Sequence, residues 1–303
     1  MACKDDWVLV DDMPTRFITW GAWIDDLKDG ENLILLIPGN PGLVDFYREF
    51  LKELHEKLQI PVWAVSHLGH EMPPKSKNMH YTHKYNLQDQ IDHKITIIRK
   101  YVPQNCKLFV IAHSMGAKIT QEMLKEPDIE QRIATSFMLF PTVERIGDTP
   151  NARFVRPMIQ YMGFPLVFLS LIFTCLPRVL RAFMLSSVFS TAYGAAPNHV
   201  VEAGLKLVQP TILGNVFHLF KTELNQIKEL DVATLNKHKK KLKFYYGTND
   251  GWSPLIFYEN LIKNIPDMDA VVCQNGMSHA FSIRSAPVMA GLISQWIEER
   301  KAS

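Results

Sequence analysis

The feature that most constrains the fold is an alternation of short apolar runs with longer amphipathic stretches. The apolar runs have the length and composition of buried strands and cover residues 33–37, 62–65, 107–112, 136–140, 242–246 and 270–273. Between them, apolar residues recur every three or four positions, as in amphipathic helices, over residues 45–58, 87–101, 117–125, 255–265 and 287–299. This alternation predicts an α/β protein with a mostly parallel sheet covered on both faces, to which residues 7–10 and 17–23 add an antiparallel edge.

One long segment departs from the alternation. From about residue 142 to residue 236 no strand-length β-branched run bounded by turn residues appears, and the pattern resumes at Lys240. We therefore expect residues 142–236 to form a mainly helical cap, and residues 1–141 with 237–303 to form the core. A chain of 303 residues is long enough for one large α/β domain with such an insertion.

Charge and cysteine usage disfavour several functional classes. The formal net charge is only +2, so no overall field attracts nucleic acid. The cysteines lack the spacing of a disulfide framework or a zinc site and lie at Cys3, Cys106, Cys175 and Cys273. We expect no metal, no organic cofactor, no nucleic-acid partner and a chain that faces the cytosol.

A serine lies at the junction between a predicted strand and a predicted helix. Residues 108–111 lead directly into Ala112, His113, Ser114, Met115 and Gly116. A sharp turn that exposes a nucleophilic serine needs small residues two positions before and after it, because the backbone there is crowded. Ala112 stands where the usual motif has glycine, and one methyl group is the smallest departure. A serine that merely caps a helix is the alternative; the flanking strand and helix favour Ser114 as a nucleophile.

A turn rich in glycine and proline, residues 38–42, follows the first central strand. Acyl transfer creates a negatively charged oxygen, which preorganised N–H groups stabilise. The backbone N–H groups of Asn40 and Met115 are the predicted donors, because Pro41 has none. A plain turn is the competing interpretation.

An acid and a histidine follow the last two predicted strands. Asp250 lies after residues 242–246, where Ser253 and Pro254 already provide a helix start and leave Asp250 free. His279 lies in the loop after the last strand. The chain order Ser, Asp, His is that of α/β-hydrolases, so His279 is predicted as the base for Ser114 and Asp250 as the group that orients it.

Other titratable residues have competing interpretations. Glu144 is the rival acid, although Arg145 beside it suggests a solvated ion pair. The remaining histidines considered are predicted to be structural and are His67, His70, His80, His83, His93 and His113.

The chain also resembles a known family, the lipid droplet-associated hydrolases. The similarity runs through residues 36–42, 112–116, 140–145, 244–248 and 278–281. It implies an α/β-hydrolase fold and a serine lipid hydrolase on lipid droplets and the endoplasmic reticulum, acting on sterol esters or related neutral lipids. Ala112, where the family usually has glycine, is the main departure.

The predicted cap contains the most apolar segment of the chain. No charged residue occurs between Arg156 and Arg178. Roughly twenty residues could just span a bilayer, but Gln160, Gly163 and Pro165 are expected to interrupt a helix. A hairpin or interfacial segment in one leaflet therefore fits better, and it suits the phospholipid monolayer of a droplet. The residues predicted to contact lipid are Phe164, Leu166, Phe168, Leu169, Leu171, Ile172 and Phe173. The alternative is a cap helix buried over the active site.

Three functions remain compatible with these patterns. The motifs favour an esterase that cleaves a carboxylic ester whose acyl chain enters beneath the cap. A droplet-bound organising protein with little turnover is the second possibility. The third is an acyltransferase, in which an alcohol instead of water resolves the acyl-enzyme.

Overall fold

A mostly parallel sheet forms the centre of the computed structural model, which describes residues 3–302, so residues 1, 2 and 303 of the predicted core lie outside it. The strand order is β1-β2-β4-β3-β5-β6-β7-β8. β3 to β8 pair in parallel, whereas β1 and β2 form an antiparallel edge. The strands are β1 (Lys4–Val10), β2 (Met13–Trp20), β3 (Asn32–Ile37), β4 (Val62–Val65), β5 (Lys107–His113), β6 (Ile133–Leu139), β7 (Leu242–Tyr246) and β8 (Ala270–Val272). The predicted α/β class is confirmed.

Helices cover both faces of this sheet. One face packs against α1 (Arg48–Leu58) and α12 (Ala286–Ala302). The other face packs against α2 (Leu87–Tyr101), α3 (Met115–Met123) and α10 (Leu255–Asn264). Because both faces are buried, the central strands are almost continuously hydrophobic, as expected for parallel sheets.

Register places two segments with predicted roles side by side. β3 and β5 are neighbours, with Ile37 paired to Ala112. The carboxyl ends of parallel strands meet at one edge of the sheet, so residues 38–42 emerge beside the turn that contains Ser114.

The antiparallel edge differs from its predicted bounds. The second edge strand begins at Met13 and ends at Trp20, not at residues 17–23. Its start is set by a tight turn through Asp11 and Asp12, both with positive φ (47° and 64°), which pairs Val10 with Met13. Two aspartates without glycine are a weak turn signal, and the start of the strand was therefore misplaced.

The segment between β6 and β7 contains helices and no strand in the described residues. Its helices are α5 (Pro150–Thr174), α6 (Arg178–Tyr193), α7 (Asn198–Leu207), α8 (Pro210–Gln226) and α9 (Val232–His238). Two short helices lie outside this segment: α4 (Pro127–Glu130) precedes β6, and α11 (Phe281–Arg284) follows β8. The Thr149 side chain caps α5, and Pro150 occupies its first turn.

The predicted interruption of the apolar segment was wrong. α5 continues through Gly163 and Pro165 to Thr174. A proline inside a helix leaves the carbonyl four residues earlier without its usual donor. A helix of 25 residues retains hydrogen bonds on both sides of that position, so α5 continues past the proline.

Candidate active site

Ser114 occupies a strained turn at the end of β5. Its backbone has φ +54° and ψ −120°, which lies outside the helical and extended regions. The Ser114 N–H donates to the Leu139 carbonyl at 3.0 Å, and the Ser114 carbonyl accepts from Thr142 at 3.2 Å and Ala117 at 3.0 Å. These bonds to β6, the following loop and α3 hold the turn in place.

The glycines around Ser114 are required by close approaches of the backbone. A Cβ at Gly116 would lie 2.2 Å from the Ile37 carbonyl oxygen. A Cβ at Gly39 would lie 2.7 Å from the Ser114 Cβ. Ala112 is different, because its methyl group is fully buried in the core while the Ser114 turn keeps its positive φ. Alanine at this position is therefore compatible with the turn geometry.

The structure brings Ser114, His279 and Asp250 together. His279 Nε2 lies 3.0 Å from Ser114 Oγ, and His279 Nδ1 lies 2.7 Å from Asp250 Oδ2. Only acceptor oxygens face Nδ1, so Nδ1 carries the proton and Nε2 is free to accept one from Ser114. The arrangement matches a nucleophile, a base and an orienting acid.

Asp250 is held by backbone donors as well as by His279. Its Oδ1 accepts from the N–H groups of Trp252 (2.8 Å) and Ser253 (3.1 Å). Burial opposes ionisation, but the electrostatic attraction and hydrogen bond to His279, with the two backbone hydrogen bonds, outweigh it, so the pKa of Asp250 is lowered. The predicted cap at Ser253 was wrong: Ser253 Oγ donates to the Pro141 carbonyl, and Pro254 is the residue before α10.

Glu144, the rival acid, lies elsewhere. Its carboxylate accepts from Asn260 Nδ2 at 2.8 Å and pairs with Arg145 at 2.8 Å. The expected solvated pair was also wrong, because Glu144 is buried. Asn260 on α10 satisfies both carboxylate oxygens, which allows the burial.

His113, predicted to be structural, contacts the backbone of His279. Its Nε2 donates to the His279 carbonyl at 2.9 Å, because a carbonyl only accepts, and its Nδ1 accepts from Tyr47 OH at 2.7 Å. Tyr47 OH in turn accepts from the Gly39 N–H at 3.3 Å. Burial, together with the charge of His279, lowers the pKa of His113 to about 3, so the ring is neutral at pH 7. The only sequence signal was its place directly before Ser114.

The predicted oxyanion donors flank the serine. Met115 is the first residue of α3, so its N–H has no acceptor within the helix. Asn40 follows Gly39, which touches Ser114. The Asn40 side chain donates to the Val216 carbonyl (3.2 Å) and to Glu223 Oε1 (2.8 Å), both on α8.

Ser114 and His279 face a cavity of about 280 Å³ beneath the helical insertion. Its walls are mainly apolar and come largely from α5 and α8, with Val155, Ile159, Leu213, Val216, Phe217 and Phe220. Among the described residues that line it, Glu223 supplies the only carboxyl group. Within residues 3–302 no group of three or more His, Cys, Asp or Glu side chains is placed to hold a metal ion.

The apolar segment lies on the surface. Of the seven residues predicted to contact lipid, Phe164 is 83% exposed, Leu169 55% and Ile172 51%, while Leu166 and Phe173 are partly buried. Only Ala152, Ile159 and Ser170 of α5 are buried, so the buried cap helix does not describe α5. By length and composition alone, α5 could cross a membrane.

A second helix adds to this surface and was missed in the sequence. α6 has no buried residue, and it exposes Val179, Leu180, Phe183, Met184 and Val188. Arg178 and Arg181 ended the uncharged run in the sequence, which concealed the apolar residues that follow them.

Comparisons with known proteins agree with this architecture. A family model described as lipid-droplet associated hydrolase matches residues 30–282. A protein named "Lipid droplet-associated hydrolase" from Drosophila melanogaster is 33% identical, covering 98% of this chain and 99% of its own length. Proteins of the same name from Mus musculus (33% identical, 98% and 95% covered) and Homo sapiens (31%, 97% and 95%) are also similar.

Solved structures share the fold at low sequence identity. A serine hydrolase from Cycloclasticus zankles superposes with a TM-score of 0.66 at 15% identity, covering 98% of both chains. The thioesterase domain from the curacin biosynthetic pathway superposes with a TM-score of 0.67 at 13% identity, covering 97% of this chain and 100% of its own. The predicted fold and family are confirmed: the chain has the α/β-hydrolase fold and belongs to the lipid droplet-associated hydrolase family.

Proposed function

We propose that this hydrolase cleaves carboxylic esters of neutral lipids through an acyl-enzyme on Ser114. The proposal rests on two consecutive hydrogen-bond contacts, from Ser114 Oγ to His279 Nε2 (3.0 Å) and from His279 Nδ1 to Asp250 Oδ2 (2.7 Å). The serine at the end of this series has a strained backbone and faces an apolar cavity.

The proposed reaction has two halves. Ser114 Oγ attacks the ester carbonyl carbon while its proton moves to His279 Nε2, and Asp250 stabilises the resulting imidazolium. The N–H groups of Asn40 and Met115 bind the oxyanion. Collapse expels the alcohol, which takes the proton from His279. Water then gives its proton to His279 and attacks the acyl carbon, which releases the acid and restores Ser114.

The proposed substrates are sterol esters or related neutral lipids. The side chains of α5 and α8 provide an apolar wall against which an acyl chain would pack, and little in that wall would hydrogen-bond a polar substrate. The names of the relatives support a lipid surface as the place of action.

We further propose that residues 142–236 act as a cap with a membrane-facing side. Insertion of the exposed side chains of α5 and α6 into the lipid droplet monolayer, or into the cytosolic leaflet of the endoplasmic reticulum, would remove their apolar area from water. Arg153, Arg156, Arg178 and Arg181 flank the apolar segment, where they would meet phospholipid headgroups.

The nucleophile is tested by labelling with a fluorophosphonate probe. Ser114→Ala is expected to abolish labelling and hydrolysis of a short-chain ester, with an unchanged melting temperature, because the hydroxyl acts in the chemistry and not in the core. Ser76→Ala, at an exposed serine, is the matched control and should label like the wild type. Equal labelling of Ser114→Ala would remove Ser114 from its role. Lipid analysis of cells that express each form then identifies the ester that accumulates.

A further inference from the structure

A buried carboxyl group in the active-site cavity has no part in the proposed reaction. Glu223 on α8 is 2% exposed and lines the same cavity as Ser114 and His279. Its hydrogen-bond partner within residues 3–302 is the Asn40 amide, and no cation there pairs with it. Burying a carboxyl group with so few partners costs folding free energy, which suggests that Glu223 has a functional role.

The contact with Asn40 has a defined direction. Asn40 Nδ2 lies 3.2 Å from the Val216 carbonyl and 2.8 Å from Glu223 Oε1. A carbonyl only accepts, so the NH2 group of the amide must face α8. Asn40 therefore donates both amide hydrogens to α8, and the loop of residues 38–42 is tied to the helical insertion at this point.

We propose that Glu223 is a positioning residue that holds Asn40 so that its backbone N–H points at the reacting carbonyl oxygen. The inference rests on the proposed function, because it assigns Asn40 to the oxyanion site. It explains why an acid lies among the apolar walls: the carboxyl oxygen supplies the acceptor that the second amide hydrogen of Asn40 needs.

The protonation state of Glu223 has a consequence for the reaction. Burial raises its pKa to about 8, although the hydrogen bond from Asn40 acts the other way. The group is therefore mostly neutral at pH 7 and becomes an anion as the pH rises through about 8. An anion in the same cavity as the developing oxyanion opposes its formation, so wild-type kcat is expected to fall above about pH 8.

The pH effects of other titratable groups near this site must be distinguished from the effect of Glu223. His279 with Asp250 faces Glu223 across the cavity, and His70 binds the Pro41 carbonyl behind the loop, with its pKa lowered to about 4 by burial. Lys221 and His218 lie on α8 itself, and Arg156 projects from the packed helix α5. Lys94, whose pKa burial lowers to about 7, lies near His70. Only a pH effect that disappears with the Glu223 carboxyl group belongs to Glu223.

The test compares Glu223→Leu with Glu223→Gln in the full chain. Leucine removes the acceptor, and kcat for a short-chain p-nitrophenyl ester is expected to fall about tenfold or more, with little change in KM, because the oxyanion donor is displaced. Glutamine keeps an acceptor oxygen without a charge, so it should restore most of the lost kcat and remove the decline above pH 8. Glu202→Gln, at an exposed carboxylate paired with Arg178, is the matched control and should keep the wild-type profile.

Hydrogen exchange of residues 38–44 supplies a readout that does not depend on catalysis. We expect faster exchange in Glu223→Leu than in Glu223→Gln, at equal melting temperature. Wild-type kcat and unchanged exchange in Glu223→Leu, or an alkaline decline that survives in Glu223→Gln, would overturn the inference. If the wild type neither labels with fluorophosphonate nor cleaves the ester, the proposed function fails, while exchange still decides whether Glu223 holds the loop.

Discussion

Two buried carboxylates after neighbouring strands show how the surroundings of a residue decide its use. Asp250 faces His279 and two backbone N–H groups, whereas Glu144 faces Arg145 and Asn260. Burial raises the pKa of Glu144 in spite of its partners, while the partners of Asp250 lower the pKa of that group. Only Asp250 is placed to fix the tautomer of the proposed base.

Asp250→Asn is therefore expected to lower kcat by about four orders of magnitude, because the amide no longer holds His279 in the tautomer that accepts the Ser114 proton. Glu144→Gln keeps one acceptor oxygen for Asn260 and serves as the control, with a far smaller effect. Steady-state kinetics on a short-chain ester, alongside melting temperatures, measure both variants. The opposite order of effects would reassign the acid to Glu144.

The two small residues around Ser114, Ala112 and Gly116, are expected to tolerate substitution differently. Gly116→Ala places a methyl carbon 2.2 Å from the Ile37 carbonyl oxygen, so the turn must shift, and kcat and stability should both fall sharply. Ala112→Gly removes a buried methyl from β5 and is expected to cost about 1 kcal/mol of unfolding free energy, with a much smaller change in kcat. Urea denaturation and ester kinetics test the pair. A large gain in kcat from Ala112→Gly would show that alanine does distort the turn.

At the scale of elements, α5 and α6 break the usual rule that long helices bury an apolar face. α5 buries three residues and α6 none, yet both expose large side chains such as Phe164 and Phe183 (83% and 68% exposed). An apolar surface of this kind marks an interaction site. The uncharged segment and its flanking arginines favour a lipid surface as that partner.

Leu169→Asp with Ile172→Asp is expected to release the protein from droplets into the cytosol. Each lost Leu or Ile insertion removes about 1.5–3 kcal/mol of apolar transfer, and the added carboxylates are repelled from lipid. Because both positions are about half exposed (55% and 51%), folding and hydrolysis of a soluble ester should persist. Fluorescence microscopy measures how much of the protein stays on droplets, and an esterase assay measures whether hydrolysis is retained.

The matched control for this experiment lies outside α5 and α6. Ile256→Asp with Val288→Asp alters residues of similar exposure (56% and 49%) on α10 and α12, and it should leave droplet binding intact. Droplet binding that survives the α5 substitutions, or that is lost equally in the control, would argue against α5 as the anchor.

At the scale of the whole molecule, one buried ion-pair network joins distant parts of the chain. Arg16 on β2 pairs with Asp45 at 2.6 Å, Asp5 at 2.7 Å and also Glu71. Lys206 on α7 reaches Asp45 from the helical insertion. Edge strand, sheet loops and insertion therefore share a single set of charges, and the loss of one member leaves buried carboxylates with fewer partners.

Arg16→Met is expected to lower the unfolding free energy by about 3–5 kcal/mol, because it removes a buried cation that pairs with the buried carboxylates of Asp45 and Glu71. Arg99→Met is the control, since Arg99 pairs with exposed Asp128 and Glu126 and should cost less than about 1 kcal/mol. Urea titration measures both. Equal effects of the two variants would show that the network contributes no more than a surface pair.

The network also predicts a pH dependence. Burial opposes ionisation of Asp45, but Arg16 and Lys206 lower its pKa well below the ordinary value of about 4. A lowered carboxyl pKa stabilises the folded state above the unfolded value and loses that contribution as the pH falls below it. The difference in stability between wild type and Arg16→Met should therefore shrink below about pH 4. A difference that stays constant to pH 2 would contradict this.

The sequence alone determined the α/β class, the family and the residues that meet at Ser114. It could do so because these depend on local patterns: a strand that runs into a small-residue turn, and loops that follow successive parallel strands. The carboxyl ends of parallel strands converge on one edge, so Asp250 and His279 could be paired with Ser114 from chain order alone.

The tertiary structure decided which side chains surround that centre. His113 touches His279 across 166 positions of the chain, and Asn40 reaches Glu223 across 183. No local pattern encodes such contacts, since they depend on how the loops and the insertion pack at the edge of the sheet. The exposure of α5 and α6 was also set in this way: an apolar run has the same composition whether it is buried or on the surface, and only the packing of its neighbours distinguishes the two.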